Sequence, residues 1–152
     1  MFAVVRIKSA IDMRRSVKDT LKMLRLNEPN HCALVPNNTS YRGMLDKVKD
    51  FVAFGEVEKE TVARILEKRL RQEGGNKLDG NTLKSLTKFN SNEELAEALM
   101  QGNAKLSSFK GLQPNFRLTP PSKGFKNTKE HYPKGDLGYR GTDIKELLER
   151  MM

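Results

Sequence analysis

His31 and Cys32 stand side by side, and no other pair in the chain is better suited to nucleophilic or metal chemistry. A reactive thiolate needs a neighbouring cation or base, and a structural zinc site needs about four ligands, commonly Cys and His. The sequence holds one cysteine, and its other histidine, His131, is far along the chain. That inventory completes neither site, so Cys32 is read as a thiol packed in a short strand, as free cysteine usually is. The carboxylates mostly sit on helix faces next to Lys or Arg, the ordinary arrangement of solvated ion pairs. Gly74-Gly75 and Gly80 do not make a G-x-G-x-x-G pattern, and no P-loop is present. The seven methionines do not line one helix as a ligand groove would. No converging set of titratable groups remains. The expectation is a protein that is not an enzyme, with no cofactor, no metal and no small-molecule substrate.

The chemistry left is electrostatic. Lys and Arg number 28 against 19 Asp and Glu, for a net charge of +9 over 152 residues and a pI near 9.7. A balance of that sign favours a polyanionic partner, nucleic acid before an acidic membrane surface. The charge is also segregated. Residues 1–55 carry 10 basic and 5 acidic groups, residues 56–101 carry 8 and 9, and residues 102–141 carry 8 and 2. Two basic blocks flank a nearly neutral one, as expected of a chain that touches RNA with its first fold and again with a late loop. No apolar run approaches the ~20 residues of a membrane span. The start, Met1-Phe2-Ala3-Val4-Val5-Arg6, reads directly as a strand and not as a signal peptide. A single cysteine fits a reducing cytoplasm.

Two stretches could hold phosphate or base. Pro36-Asn37-Asn38-Thr39-Ser40-Tyr41-Arg42-Gly43 lies between a strand and a helix. Its Asn, Thr and Ser can cap that helix. The same helix start offers backbone N–H groups and a positive dipole end to a phosphate, with Arg42 and Lys47 close by. Residues 114–141 are rich in Gly, Pro, Lys and Asn and have no sustained period. Phe116, Phe125, Tyr132 and Tyr139 are flat groups that can stack or anchor. Basic residues interleaved with aromatics suit a segment threading between RNA helices, expected to order on assembly.

These groups must be positioned by folded elements. Residues 2–8 alternate as a strand buried on both sides. Met13, Val17, Leu21 and Leu24 recur at helical spacing, and Glu28-Pro29-Asn30 breaks that helix. His31–Val35 is a second strand. Gly43 opens a second helix with Met44, Leu45, Val48, Phe51 and Val52 as its stripe. Val52–Val57 supplies a third strand, which Gly55 weakens or marks with a bulge. Two helices cover one sheet face, so the rest of the chain must meet the other. That rest is mainly helical: Thr61–Arg71, a piece near Thr82–Leu86, a helix after the capping-box pattern Ser91-Asn92-Glu93-Glu94, and a last helix from Asp143 to Met152. Hydrophobic residues are 37%, below an ordinary globular share, so part of the chain is expected to depend on a partner for order.

Val4-Val5-Arg6-Ile7-Lys8-Ser9, then Lys18-Asp19-Thr20-Leu21-Lys22-Met23-Leu24-Arg25-Leu26, then Tyr41-Arg42-Gly43-Met44-Leu45-Asp46-Lys47-Val48 resembles the large-subunit ribosomal protein family numbered thirty in bacteria. Eukaryotes have a longer relative numbered seven. Phe116-Arg117-Leu118 with Pro120-Pro121-Ser122-Lys123-Gly124-Phe125-Lys126 resembles the extension of the archaeal and eukaryotic long form. The resemblance implies an α+β fold: a ferredoxin-like split βαβαβ core at 1–57, and a mainly helical extension at 58–152 that contains a long basic loop, 107–141. It implies no catalysis, and contact with large-subunit ribosomal RNA and neighbouring ribosomal proteins near the 5S RNA, on the cytoplasmic ribosome. The RNA contacts it points to are Arg6 and Lys8 on the first strand, Arg14, Arg15 and Lys18 at the first helix, and Asn37, Asn38, Thr39, Arg42, Gly43 and Lys47 around the turn. Arg117, Lys123, Lys126 and Lys129 carry over from the long form.

The competing readings are an RNA-binding regulator or chaperone outside the ribosome, using the same basic faces, and a small-molecule enzyme on a ferredoxin-like fold. The first would not stay with the large subunit through a salt wash. The second would need the titratable cluster that is missing from the sequence.

Overall fold

The computed structural model describes every residue except Asp12, Lys77, Asp79, Lys88 and Asn90, and of residues 80–82 only the helical backbone. The chain forms two compact units, residues 1–57 with 117–152 and residues 58–116. The division expected from the sequence set 1–57 against 58–152. Residues 117–152 instead return to the first unit.

The first unit begins β1 (Phe2–Arg6), α1 (Arg15–Met23), β2 (His31–Val35), α2 (Thr39–Val48) and β3 (Val52–Glu56). Strand β1 is antiparallel to both neighbours, with Val4 opposite Ala33 on one side and Phe54 on the other. Strands β2 and β3 therefore run parallel with β1 between them, a split β-α-β arrangement. The late strands β4 (Asn115–Arg117) and β5 (Gly138–Tyr139) extend the sheet to the order β4-β2-β1-β3-β5, with β5 parallel to β3. This is an α+β fold on a mixed five-stranded sheet.

The two-residue period of the strands sends side chains to two faces of the sheet. Phe2, Val4, Ala33, Val35, Val52 and Phe54 form one core with Val17, Leu21 and Leu24 of α1 and Leu45 and Val48 of α2. Helices of 9 and 10 residues are marginal alone in water. Each fully buried Leu or Val contributes about 1.5–3 kcal/mol, so this shared layer holds both helices in place. The alternate residues Ala3, Val5, Cys32, Ala53 and Gly55 are buried on the other face. Helix α6 (Ile144–Met151) packs on β3 there, with Ile144, Leu147, Leu148 and Met151 fully buried. A Cβ at Gly55 would lie 2.1 Å from the Gly141 carbonyl oxygen and 2.8 Å from Ile144 Cβ. Gly55 marks a close approach of backbone, neither a bulge nor a weak strand.

Two helix boundaries differ from expectation. Helix α1 stops well before Pro29, at Met23, with Leu24 as C-cap and Arg25 beyond it at φ 60°. The Leu26 N–H donates to Leu21 O and the Arg25 N–H to Lys22 O, a Schellman closure with Arg where Gly is usual. Helix α2 starts at Thr39, so Gly43 lies inside it and does not open it.

The second unit holds α3 (Lys59–Arg69), α4 (Gly80–Thr87) and α5 (Asn92–Met100). Helices α3 and α5 pack through Val62, Ile65, Leu66, Leu95, Ala96 and Leu99, and Lys59 Nζ meets Glu97 Oε2 at 2.7 Å. Ser91 Oγ accepts from the Glu94 N–H at 3.2 Å, one arm of the expected capping box.

Candidate nucleic-acid interface

Helices of a self-sufficient fold normally satisfy their first amides with a capping side chain and favour acidic residues in the first turn. Helices α1 and α2 do neither. Arg14 and Asn38 occupy their N-cap positions without a side-chain capping bond, and neither first turn contains an acid. Helix α1 instead begins with exposed Arg14, Arg15 and Lys18, which is the wrong sign for its own dipole. Helix α5 of the second unit, with its Ser91 cap and Glu93 and Glu94, shows the ordinary pattern.

At the α2 start, Asn37, Asn38, Thr39, Arg42, Gly43 and Lys47 are all exposed. Asn37 Oδ1 accepts from Arg42 Nε at 2.7 Å, which fixes the guanidinium beside the first turn. Asn38 does not cap the helix, so the phosphate-binding side of the expectation keeps its amides. A Cβ at Gly43 would meet nothing within 4 Å. A glycine in a helix interior costs roughly 0.5–1 kcal/mol against alanine, and no neighbour among the described residues requires it.

Arg6 departs from the expected set. Its guanidinium is 3% exposed and donates to the carbonyl oxygens of Leu26 (2.8 Å), Asn27 (2.6 Å) and Lys8 (2.9 Å). It ties the exit of α1 to β1 and has no surface to offer an RNA. Burial pulls its pKa down, opposed by the Glu28 carboxylate. Lys8 is half-buried, with its ammonium 5.6 Å from the Phe51 ring centre.

The late basic loop is organised by its own chain. The Asp136 carboxylate is buried and accepts from the Lys126 N–H (2.5 Å), the Asn127 N–H (3.2 Å) and Arg140 Nη1 (2.6 Å). Arg140 stacks on Tyr132, 4.9 Å from the ring centre, and the Tyr132 hydroxyl donates to Asp143. His131 Nε2 lies 2.9 Å from Asp50 Oδ1. Residues 121–124 form a turn closed by the Gly124 N–H on Pro121 O at 2.9 Å, with Lys123 at φ 68°. Arg150 clamps it through Ser122 O at 3.0 Å and Gly124 O. Lys123, Lys126 and Lys129 are exposed along this ordered path, and Arg117 is exposed at the end of β4.

Of the four aromatics singled out, Phe116 is fully buried and serves the core, while Tyr139 is 53% exposed. Lys22, Arg25, Lys49 and Lys134, outside the expected contact set, also add exposed positive charge to this unit. Their only signal was sign, which a solvated helix face shares.

Cys32 is fully buried and its thiol is pushed up to about 12 by that burial, so it carries no thiolate. Burial lowers the pKa of His31; Glu28 opposes the shift, and Arg117 and Arg6 add to it. Neither is a reactive group.

The profile of the family described as Ribosomal protein L30p/L7e matches residues 2–52. A protein of Archaeoglobus fulgidus named Large ribosomal subunit protein uL30 is 49% identical over 151 residues, covering 99% of each chain. Proteins of the same name from Methanocorpusculum labreanum and Nanoarchaeum equitans are 47% and 40% identical, covering 99% of this chain and 99% and 97% of theirs. The chain belongs to the ribosomal protein L30p/L7e family. Within that family it has the long form shared by these archaeal proteins, since the likeness runs past the profile match to cover residues 58–152 as well. The family is non-enzymatic, in agreement with a buried, protonated Cys32 and a buried His31.

Proposed function

We propose that this protein is a structural component of the large ribosomal subunit on the cytoplasmic ribosome, held by ribosomal RNA and neighbouring ribosomal proteins. The observation that carries the reading is the start of α2. An uncapped helix end, an oriented Arg42 and an exposed Gly43 with open space around it form a place where a phosphate backbone can come close. The basic start of α1, with Arg14, Arg15 and Lys18, supplies a second phosphate site. Lys8, Asn37, Asn38, Thr39 and Lys47 complete the N-terminal surface, and Arg117, Lys123, Lys126 and Lys129 the late one. Arg6 belongs to the scaffold. A position near the 5S RNA rests on the family resemblance.

Replacing Arg14, Arg15, Lys123 and Lys126 with Ala tests the mechanism. Binding to large-subunit RNA should weaken, and its log–log salt slope should flatten by roughly 0.7–0.9 per lost phosphate contact. An unchanged slope would mean that these are solvent-facing charges. Co-sedimentation tests the setting: the protein should stay with the large subunit at one copy through a high-salt wash, whereas a regulator acting outside the ribosome would be stripped.

A further inference from the structure

Beside α2, at the β5 edge of the sheet, Phe2, Phe54, Tyr139, Arg42, Asp46 and Glu56 line a groove of about 380 Å³. Phe2 and Phe54 are buried and meet edge to face, 6.1 Å apart at 85°. Tyr139 is paired with Phe54 across β3 and β5 and leans on both rings, 5.6 Å from Phe54 and 6.5 Å from Phe2. The ring is braced from beneath, yet Tyr139 is exposed and lines the groove. Arg42 lies 6.0 Å over the Phe2 ring, its Nε turned to Asn37.

The groove thus combines a supported aromatic face, one cation and two carboxylates. An RNA base stacks on such a face whatever its sequence. A guanidinium suits the phosphate attached to it. Ionised carboxylates only accept hydrogen bonds, so they select a base edge made of donors. Guanine presents N1–H and N2–H side by side. Uracil has one N–H between two carbonyls, the amino group of adenine lies between two ring acceptors, and that of cytosine lies beside one. A lysine or arginine from another protein would satisfy the carboxylates but would meet Arg42. A nucleotide brings both signs of complement.

We propose that this groove holds one unpaired guanine of RNA, stacked on Tyr139, its donor edge on Asp46 and Glu56 and its phosphate on Arg42. The inference rests on the RNA-binding reading above and adds a base-specific contact to a surface otherwise made for phosphates.

The chain has no tryptophan, so Tyr139→Trp places a single reporter in the groove. The full-length variant is titrated with the RNA pentamers UUUUU, UUGUU, UUAUU and UUCUU, and large-subunit RNA binding is measured in parallel. UUGUU should quench the emission and bind about tenfold more tightly than UUUUU. Glu56→Gln in the same background should shrink that preference several-fold while the quench persists. Tyr139→Leu, with its melting temperature as a check on folding, should weaken UUGUU binding by about tenfold or more. Equal affinities for all four pentamers, or no quench, with ribosomal RNA still bound, overturns the guanine site and leaves the RNA reading standing. Loss of ribosomal RNA binding in the unmodified chain overturns both. Quenching by an arginine-rich peptide and by none of the pentamers makes the groove a protein contact and overturns the proposal.

Discussion

Arg140 Nη1 donates to Asp136 Oδ1 at 2.6 Å, and both side chains are buried. The other carboxylate oxygen takes the N–H groups of Lys126 and Asn127, so one aspartate ties residues 126–127 to Arg140. Removing it leaves a buried cation unpaired. Asp136→Ala should cost about 3–5 kcal/mol in chemical denaturation. Hydrogen exchange in the free protein should show protected amides at Lys126 and Asn127, and that protection should vanish in the variant. Fast exchange at both sites in the unmodified, RNA-free protein would mean that a partner orders this loop after all.

Arg6 and the α1 cations should separate cleanly by assay. Arg6→Met leaves the buried Leu26 carbonyl and the part-buried Asn27 carbonyl without their donor. It should lower stability by about 3 kcal/mol. Arg14→Ala with Arg15→Ala should leave the melting temperature nearly unchanged and weaken RNA binding. A stable Arg6→Met protein with impaired RNA affinity would return Arg6 to the interface.

Gly43→Ala should stabilise the protein by about 0.5–1 kcal/mol, because the site is helical, exposed and open. That corresponds to roughly 2–4 °C per kcal/mol in melting temperature. RNA binding should fall in the same variant, because the added methyl holds a phosphate backbone away. A gain in stability with unchanged affinity would separate Gly43 from the interface.

His31 sets a pH dependence. Burial favours its neutral form, so the folded protein protonates it at lower pH than the unfolded chain, whose value is near the ordinary 6.5. Above that pH neither state takes the proton and His31 has no effect. Below it the unfolded chain gains protons first, so stability falls as pH drops, by at most about 1.4 kcal/mol per pH unit. The fall levels off below the depressed folded value. Denaturant midpoints between pH 7.5 and 5 should show this slope, and His31→Gln should remove it.

The β-α-β-α-β core was legible because its signals are periodic. Alternation at residues 2–8 and the Val17, Leu21, Leu24 spacing survive translation into burial almost unchanged. The α2 start lies earlier than Gly43 because a glycine after a polar run resembles a helix boundary, and only the structure shows it on an open helix face. The family motif alone puts Arg6 among the expected RNA contacts. Its partners are carbonyl oxygens, which leave no mark on side-chain pattern. The order of the late loop was hidden for the same reason: Asp136 works through backbone amides far from it in the chain. Tyr139 was visible as an aromatic, but its support by Phe2 and Phe54 is a long-range contact that no local spacing encodes.

Gly55 is shaped to receive Ile144, and β3 receives β5 along its edge. During synthesis, residues 1–57 therefore leave the exit tunnel long before the pieces that finish their sheet. The nascent strands must wait with one apolar face uncovered while the whole 58–116 unit is made. Native closure is a late event, set by the arrival of residues 138–151 and not by the order in which the N-terminal elements appear.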